Sequence, residues 1–182
     1  MKITHTLYVS NRKDWRAWLR KNHKTEKEIW LVYYNKSSGK ERIPYNDAVE
    51  EALCFGWIDS TVKKINKGSF AQRFSQRNPK SSWSEMNKVR ARRLIAAGKM
   101  TKAGLALLGN NHKDKFSVPK DILKSLMKDE ETWKNFRSFP ESYKRIRIGF
   151  IHNSRNRPDF FKKRLAYFLK MTKQNKMFGM VK

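Results

Sequence analysis

The sequence predicts an α+β protein: a small N-terminal antiparallel or mixed sheet with flanking helices, followed by an all-helical C-terminal segment. Three observations predict it. Residues 28–34 read EIWLVYY, an aromatic and β-branched run of strand length. Residues 57–65 and 69–77 are two extended runs around the turn Asn66-Lys67-Gly68. From Val118 onward, apolar residues recur at helical spacing.

The elements follow in order. Residues 6–9 read as a short strand, and Ser10 as the cap of a helix to about residue 23 with Trp15, Trp18 and Leu19 on one stripe. Residues 28–34 form a buried strand, and Ser37-Ser38-Gly39-Lys40 a turn. Pro44 opens a helix toward Gly56 whose apolar side is Ala48, Val49, Ala52 and Leu53, with Glu50 and Glu51 directed away from it. The hairpin ends at Asn78-Pro79-Lys80. Ser82 and Glu85 have capping-box spacing for a helix ending near Gly98, and Thr101 caps another to about residue 108. The polar run 109–117 breaks the pattern and divides an α+β domain, 1–112, from a helical one, 113–182. In the second, helices begin at Pro119, around Trp133 and Phe136, at Pro140 (carrying Tyr143, Ile146 and Phe150) and at Pro158 (carrying Phe161, Leu165, Phe168 and Leu169).

Charge is the strongest compositional signal. The 182 residues include 42 Lys+Arg and 16 Asp+Glu, a formal net charge of +26. Such a balance suits anionic partners: nucleic acid or a small phosphate or carboxylate compound. The surplus is spread, +14 over residues 1–112 and +12 over 113–182. The bland reading is a surface bias that serves solubility. Cys54 is the single cysteine, so no disulfide within the chain and no Cys-x-x-Cys motif exist, which fits a reducing compartment. The N-terminus lacks the apolar stretch of a signal peptide, and no segment approaches the ~20 apolar residues of a membrane span. A cytoplasmic location is the expectation.

Residues 57–87 concentrate the candidate chemistry: Trp57, Asp59, Arg73, Arg77, Ser82, Trp83 and Asn87. Strand alternation puts Arg73, Ser75 and Arg77 on one sheet face. Asp59 is expected opposite Arg77 or one step diagonal to it. Two arginines beside a helix start at Ser82 make an anion site; the same residues equally make an Asp59–Arg77 ion pair with Ser82 as a simple cap. Asn87 falls on the apolar side of its helix, as a ligand-orienting amide or, better supported, as a tie to a loop backbone. Trp57 and Trp83 either stack on a ligand or fill the core. Cys54 lies near Glu50, an acidic neighbourhood that disfavours thiolate. His5, His23, His112 and His152 are scattered, without metal-ligand spacing, and no cofactor or metal motif is present. A second cluster is the basic patch Arg145, Arg147, Arg155, Arg157, Lys162, Lys163 and Arg164, interleaved with Phe160 and Phe161; it reads as phosphate contacts or as a solvated helix face.

Several segments carry a resemblance: Leu7-Tyr8-Val9, Trp15-Arg16-Ala17-Trp18-Leu19, the 29–34 strand, AVEEALCFGWID at 48–59, Arg73-Phe74-Ser75-Gln76-Arg77, Ser82-Trp83-Ser84 with Asn87, and 94–101 with Gly104. Their order and spacing resemble the YdeI/OmpD-associated, or bacteriocin-protection, family, and the stretch from Phe139-Pro140 to Lys163-Arg164-Leu165 is similar to its helical tail. Gln76 stands where that family usually has proline, and Pro158-Asp159 where its tail usually has Glu-Thr. The resemblance implies an intracellular bacterial protein linked by name to envelope or bacteriocin stress, and it implies no reaction or cofactor. The leading expectation is therefore a binding protein for an anionic ligand. The alternatives are an enzyme acting on a small anion with Asp59 as general base, and a module that binds an acidic protein partner through its tail.

Overall fold

The structure, a computed structural model, describes residues 2–179. Its N-terminal half holds a four-stranded mixed sheet, and helices dominate the rest. This is the α+β arrangement that the sequence predicts. Two compact units divide the chain: residues up to 82 with 90–112, and 83–89 with those from 113 onward.

In the first unit, β1 (Thr6–Leu7) pairs parallel to β2 (Glu28–Tyr34), and β4 (Ser69–Gln76) lies antiparallel between β2 and β3 (Trp57–Asn66). The alternating apolar run of β2 buries Ile29, Leu31 and Tyr33, and Trp30 from its other face is buried too. Helix α1 (Arg12–Asn22) packs on α2 (Tyr45–Cys54), which in turn packs on β3 and on α4 (Lys102–Leu108). Asn11, one residue past the expected Ser10, caps α1 by accepting from the Asp14 N–H at 3.0 Å. The core gathers Trp15, Leu19, Leu53, Trp57 and Phe74, all without exposed surface. Burial of each such side chain is worth about 1.5–3 kcal/mol, and Trp15 satisfies its indole by donating to the Ala48 carbonyl at 3.0 Å.

Glu50 and Glu51 depart from expectation. Both are buried, because arginines from neighbouring helices cover them. Arg12 reaches Glu50 at 3.0 Å and Glu51 at 2.5 Å, Arg16 reaches Glu51 at 2.5 Å, and Arg93 pairs with Glu50. A carboxylate survives burial only with such compensation. A one-helix wheel sees the acids as polar and cannot see the guanidinia that arrive from elsewhere.

The second unit contains α5 (Lys120–Leu126), α6 (Glu130–Ser138), α7 (Glu141–His152) and α8 (Pro158–Lys173). Helix α8 packs against the other three. Its core is Ile122, Leu126, Phe136, Phe139, Tyr143, Ile148, Ile151 and Phe168. Phe161, Leu165 and Leu169 pack at the edge of that cluster. Phe150 is 49% exposed. Helix α3 (Glu85–Ala96) contributes residues 85–89 to the second unit and 90–96 to the first. It starts at Glu85, with the Ser84 hydroxyl accepting from the Asn87 N–H at 3.3 Å, so the serine at its start is Ser84 and not Ser82.

Candidate functional site

The first candidate cluster is distributed over both units: Trp57, Asp59, Arg73, Arg77 and Ser82 belong to the first, Trp83 and Asn87 to the second. Trp57 has no exposed surface; its indole donates to the His23 carbonyl at 3.1 Å and its ring meets Trp18 edge-on. It therefore packs the core and offers no face for stacking. Asp59 stands opposite Phe74, away from Arg77. The hairpin explains the difference. Irregularities between Asp59 and Val62 and between Lys64 and Asn66 each shift the register by one residue. Continuing straight from Asn66↔Ser69, Asp59 would have met Gln76, beside Arg77. Instead its carboxylate accepts from the Tyr45 hydroxyl at 2.7 Å.

The two arginines are held separately. Arg73 pairs with Glu28 at 2.5 Å across β2 and β4, and reaches the hydroxyls of Ser60 and Ser75. The Thr4 hydroxyl, and after it this pair, draws the Glu28 carboxyl below its usual range. Arg77, just past β4, donates to the carbonyls of Ser81 and Ser82 and ties down the 78–82 loop. Ser82 thus serves through its backbone. Trp83 is buried, and Asn87 is half-buried.

The second cluster sorts by partner. Arg145 is 5% exposed and pairs with Glu85 at 3.2 Å and Asp114 at 3.0 Å. Arg155 holds both oxygens of Asp121 at 2.7 and 2.9 Å, drawing that carboxyl down. Arg147, Arg157, Lys162, Lys163 and Arg164 make no ion pair among the described residues. These five cations lie on α7, α8 and the corner joining them.

Aromatic rings organise that corner. Arg164 covers the Phe150 ring at 3.7 Å and donates to the Phe150 carbonyl at 3.0 Å. Arg147 lies 5.7 Å from the same ring and 5.0 Å from Phe178, and burial without a carboxylate lowers its pKa. Arg157 lies 5.7 Å from the Phe160 ring, which is 54% exposed. Arg157, Phe160 and Arg164 line one dent of ≈ 190 Å³ together with Asn153, Ser154 and Asn156. A guanidinium on a ring keeps its N–H edge free for an oxyanion, and the ring limits its rotamers. The first turn of α8 adds open backbone N–H groups.

Comparison with known proteins adds two matches. Residues 7–107 match the model of a family described as a domain of unknown function, DUF8412. That stretch is more than half of the chain. The chain belongs to this family. Residues 115–175 match the model described as Bacteriocin-protection, YdeI or OmpD-Associated, in line with the resemblance read from the sequence. The segment LCFGWID falls within the DUF8412 stretch, whereas Arg147, Phe150, Arg157, Phe160 and Arg164 fall within the YdeI/OmpD-associated one. Neither the curated proteins nor the solved structures give a significant match.

Sequence reasoning named the cations of the corner but missed Phe150. The Arg147/Phe150 spacing of three was the available signal. Among the described residues no group of three His, Cys, Asp or Glu side chains is placed to hold a metal, and no helix is long and apolar enough to cross a membrane.

Proposed function

We propose that this protein binds single-stranded nucleic acid at the α7–α8 corner. The observation that carries the reading is the convergence of Arg157 and Arg164, neither paired with a carboxylate among the described residues, on one dent beside the exposed Phe160 ring. Arg157, Arg164, Lys162 and Lys163 supply phosphate contacts, Arg147 contributes field from behind Phe150, and Phe160 offers its face to a base. Asp159 is the one acid in the first turn of α8 and limits the field locally. Unpaired bases suit such a surface because each presents a π-face, worth about 1–3 kcal/mol on an aromatic side chain.

Fluorescence anisotropy of a labelled oligothymidine, from about 50 to about 200 mM salt, tests this. Four phosphate contacts give a log–log slope of about −2.8 for a single strand. The double variant Arg157→Ala/Arg164→Ala should flatten that slope by about 1.4, with its melting temperature unchanged. Phe160→Ala should weaken binding by about 1–3 kcal/mol at an unchanged slope. Absence of binding at low salt, or an unaltered slope in the double variant, overturns the reading.

A further inference from the structure

A second cavity lies in the same unit, apart from the arginine–phenylalanine corner. It is a cleft of ≈ 360 Å³ reaching from the start of α3 and the 113–119 loop to α7. Four of the charged side chains in its wall form a ring of alternating sign. Lys88 contacts Glu85 at 2.8 Å and Asp114 at 2.7 Å; Arg145 contacts Asp114 at 3.0 Å and Glu85 at 3.2 Å. Trp83, Phe116 and Ile148 supply apolar wall. Gly149 lets α7 come this close: a Cβ there would stand 2.6 Å from the Glu85 Cγ.

We infer that this cleft binds a small zwitterion, an α-amino acid. The volume falls within the size range of small-ligand sites. The four ring charges sum to zero, so a simple anion or cation gains no net attraction from them, and Lys115 in the same wall adds one further positive charge on the side of a carboxylate. A ligand with an ammonium and a carboxylate on one carbon meets both signs at once, and each ring charge it draws on is replaced by one of the same sign. Exposure sets the orientation. The side chain of Asp114 is 37% exposed and that of Arg145 only 6%. The ammonium therefore addresses Asp114 and Glu85, and the carboxylate addresses Lys88, with Arg145 holding the acids in place from behind. The ligand side chain lies along Trp83 and Phe116.

Isothermal titration of the full chain with each of the twenty free amino acids at millimolar concentration tests the proposal. The best ligand is then compared with its decarboxylated amine and its deaminated acid. At least one amino acid is expected to bind, and both single-charge analogues should bind at least ~10-fold more weakly, the factor that ~1.4 kcal/mol represents. Ser117→Trp, which fills the cleft while leaving the four charges intact, should abolish binding with no loss of helical signal. Lys88→Met should weaken the amino acid and its deaminated acid but not the amine. No binding by any amino acid overturns the inference. So does binding that survives Ser117→Trp, or an analogue that binds as well as its parent. None of these outcomes bears on oligonucleotide binding, which uses other residues.

Discussion

Asp129 shows how much one side chain organises in the helical unit. It caps α6 by accepting from the Thr132 N–H at 2.9 Å and from the Thr132 hydroxyl at 2.7 Å, and it receives the Lys173 ammonium at 2.8 Å. The Lys173 contact, then the Thr132 donors, pull its carboxyl down to about 2. A carboxyl depressed from about 3.9 in the unfolded chain stabilises the fold fully above that value and loses its contribution as pH falls toward 2. Thermal melts across that window should show a falling melting temperature, and Asp129→Asn should flatten it; parallel curves would mean that other carboxyls dominate. Cys54 makes the opposite case. Burial pushes its thiol up, and it has no exposed surface. A thiol-reactive dye should label it only as fast as the unit opens, and prompt labelling of native protein would contradict the buried placement.

Helix pairing in the first unit depends on glycine. Helix α4 crosses the end of α2 so closely that a Cβ on Gly104 would stand 2.4 Å from the Cys54 carbonyl oxygen. Thr101 bonds that same oxygen through its N–H at 3.0 Å and its hydroxyl at 2.6 Å, and it caps α4 through the Gly104 N–H. Gly56, at φ +77°, turns the chain from α2 into β3 and receives Leu107 of α4. Gly104→Ala must push two backbones apart and should cost about 1–3 kcal/mol by denaturant titration. An unchanged midpoint would show that α4 can slide. The sequence marks Gly104 only as a glycine inside a helical pattern; what it touches becomes visible once α2 and α4 are packed.

Over the whole chain 42 Lys and Arg stand against 16 Asp and Glu, so the +26 surplus remains however the ion pairs form. The acids cluster under arginines, as Glu50, Glu51 and Glu85 do, which leaves long stretches of α8 with lysine and arginine alone. Self-repulsion of that surplus destabilises the compact state, and salt screens it within about 8–10 Å. The melting temperature should therefore rise with sodium chloride from low ionic strength toward a plateau. A fall would mean that the exposed pairs, such as Lys173–Asp129, outweigh the surplus.

Periodicity and turn chemistry by themselves determined the fold class. The 28–34 run, the Asn66-Lys67-Gly68 turn and the prolines at 140 and 158 act locally, and a strand, a hairpin or a helix start needs little more than its own residues. The composition likewise determined the net charge and the number of arginines near the C-terminus. Tertiary structure alone decided which of those charges remain available. Arg145 and Arg155 found carboxylates on other elements, while Arg157 and Arg164 found phenylalanine rings. It decided the register that parts Asp59 from Arg77, through two bulges with no signature in the residues that flank them. It also closed the Glu85–Lys88–Asp114–Arg145 ring, whose members lie up to 60 positions apart. For the charges and the ring the physical reason is the same: a charge's partner is set by Coulomb attraction over a few ångströms of space, a distance unrelated to separation along the chain.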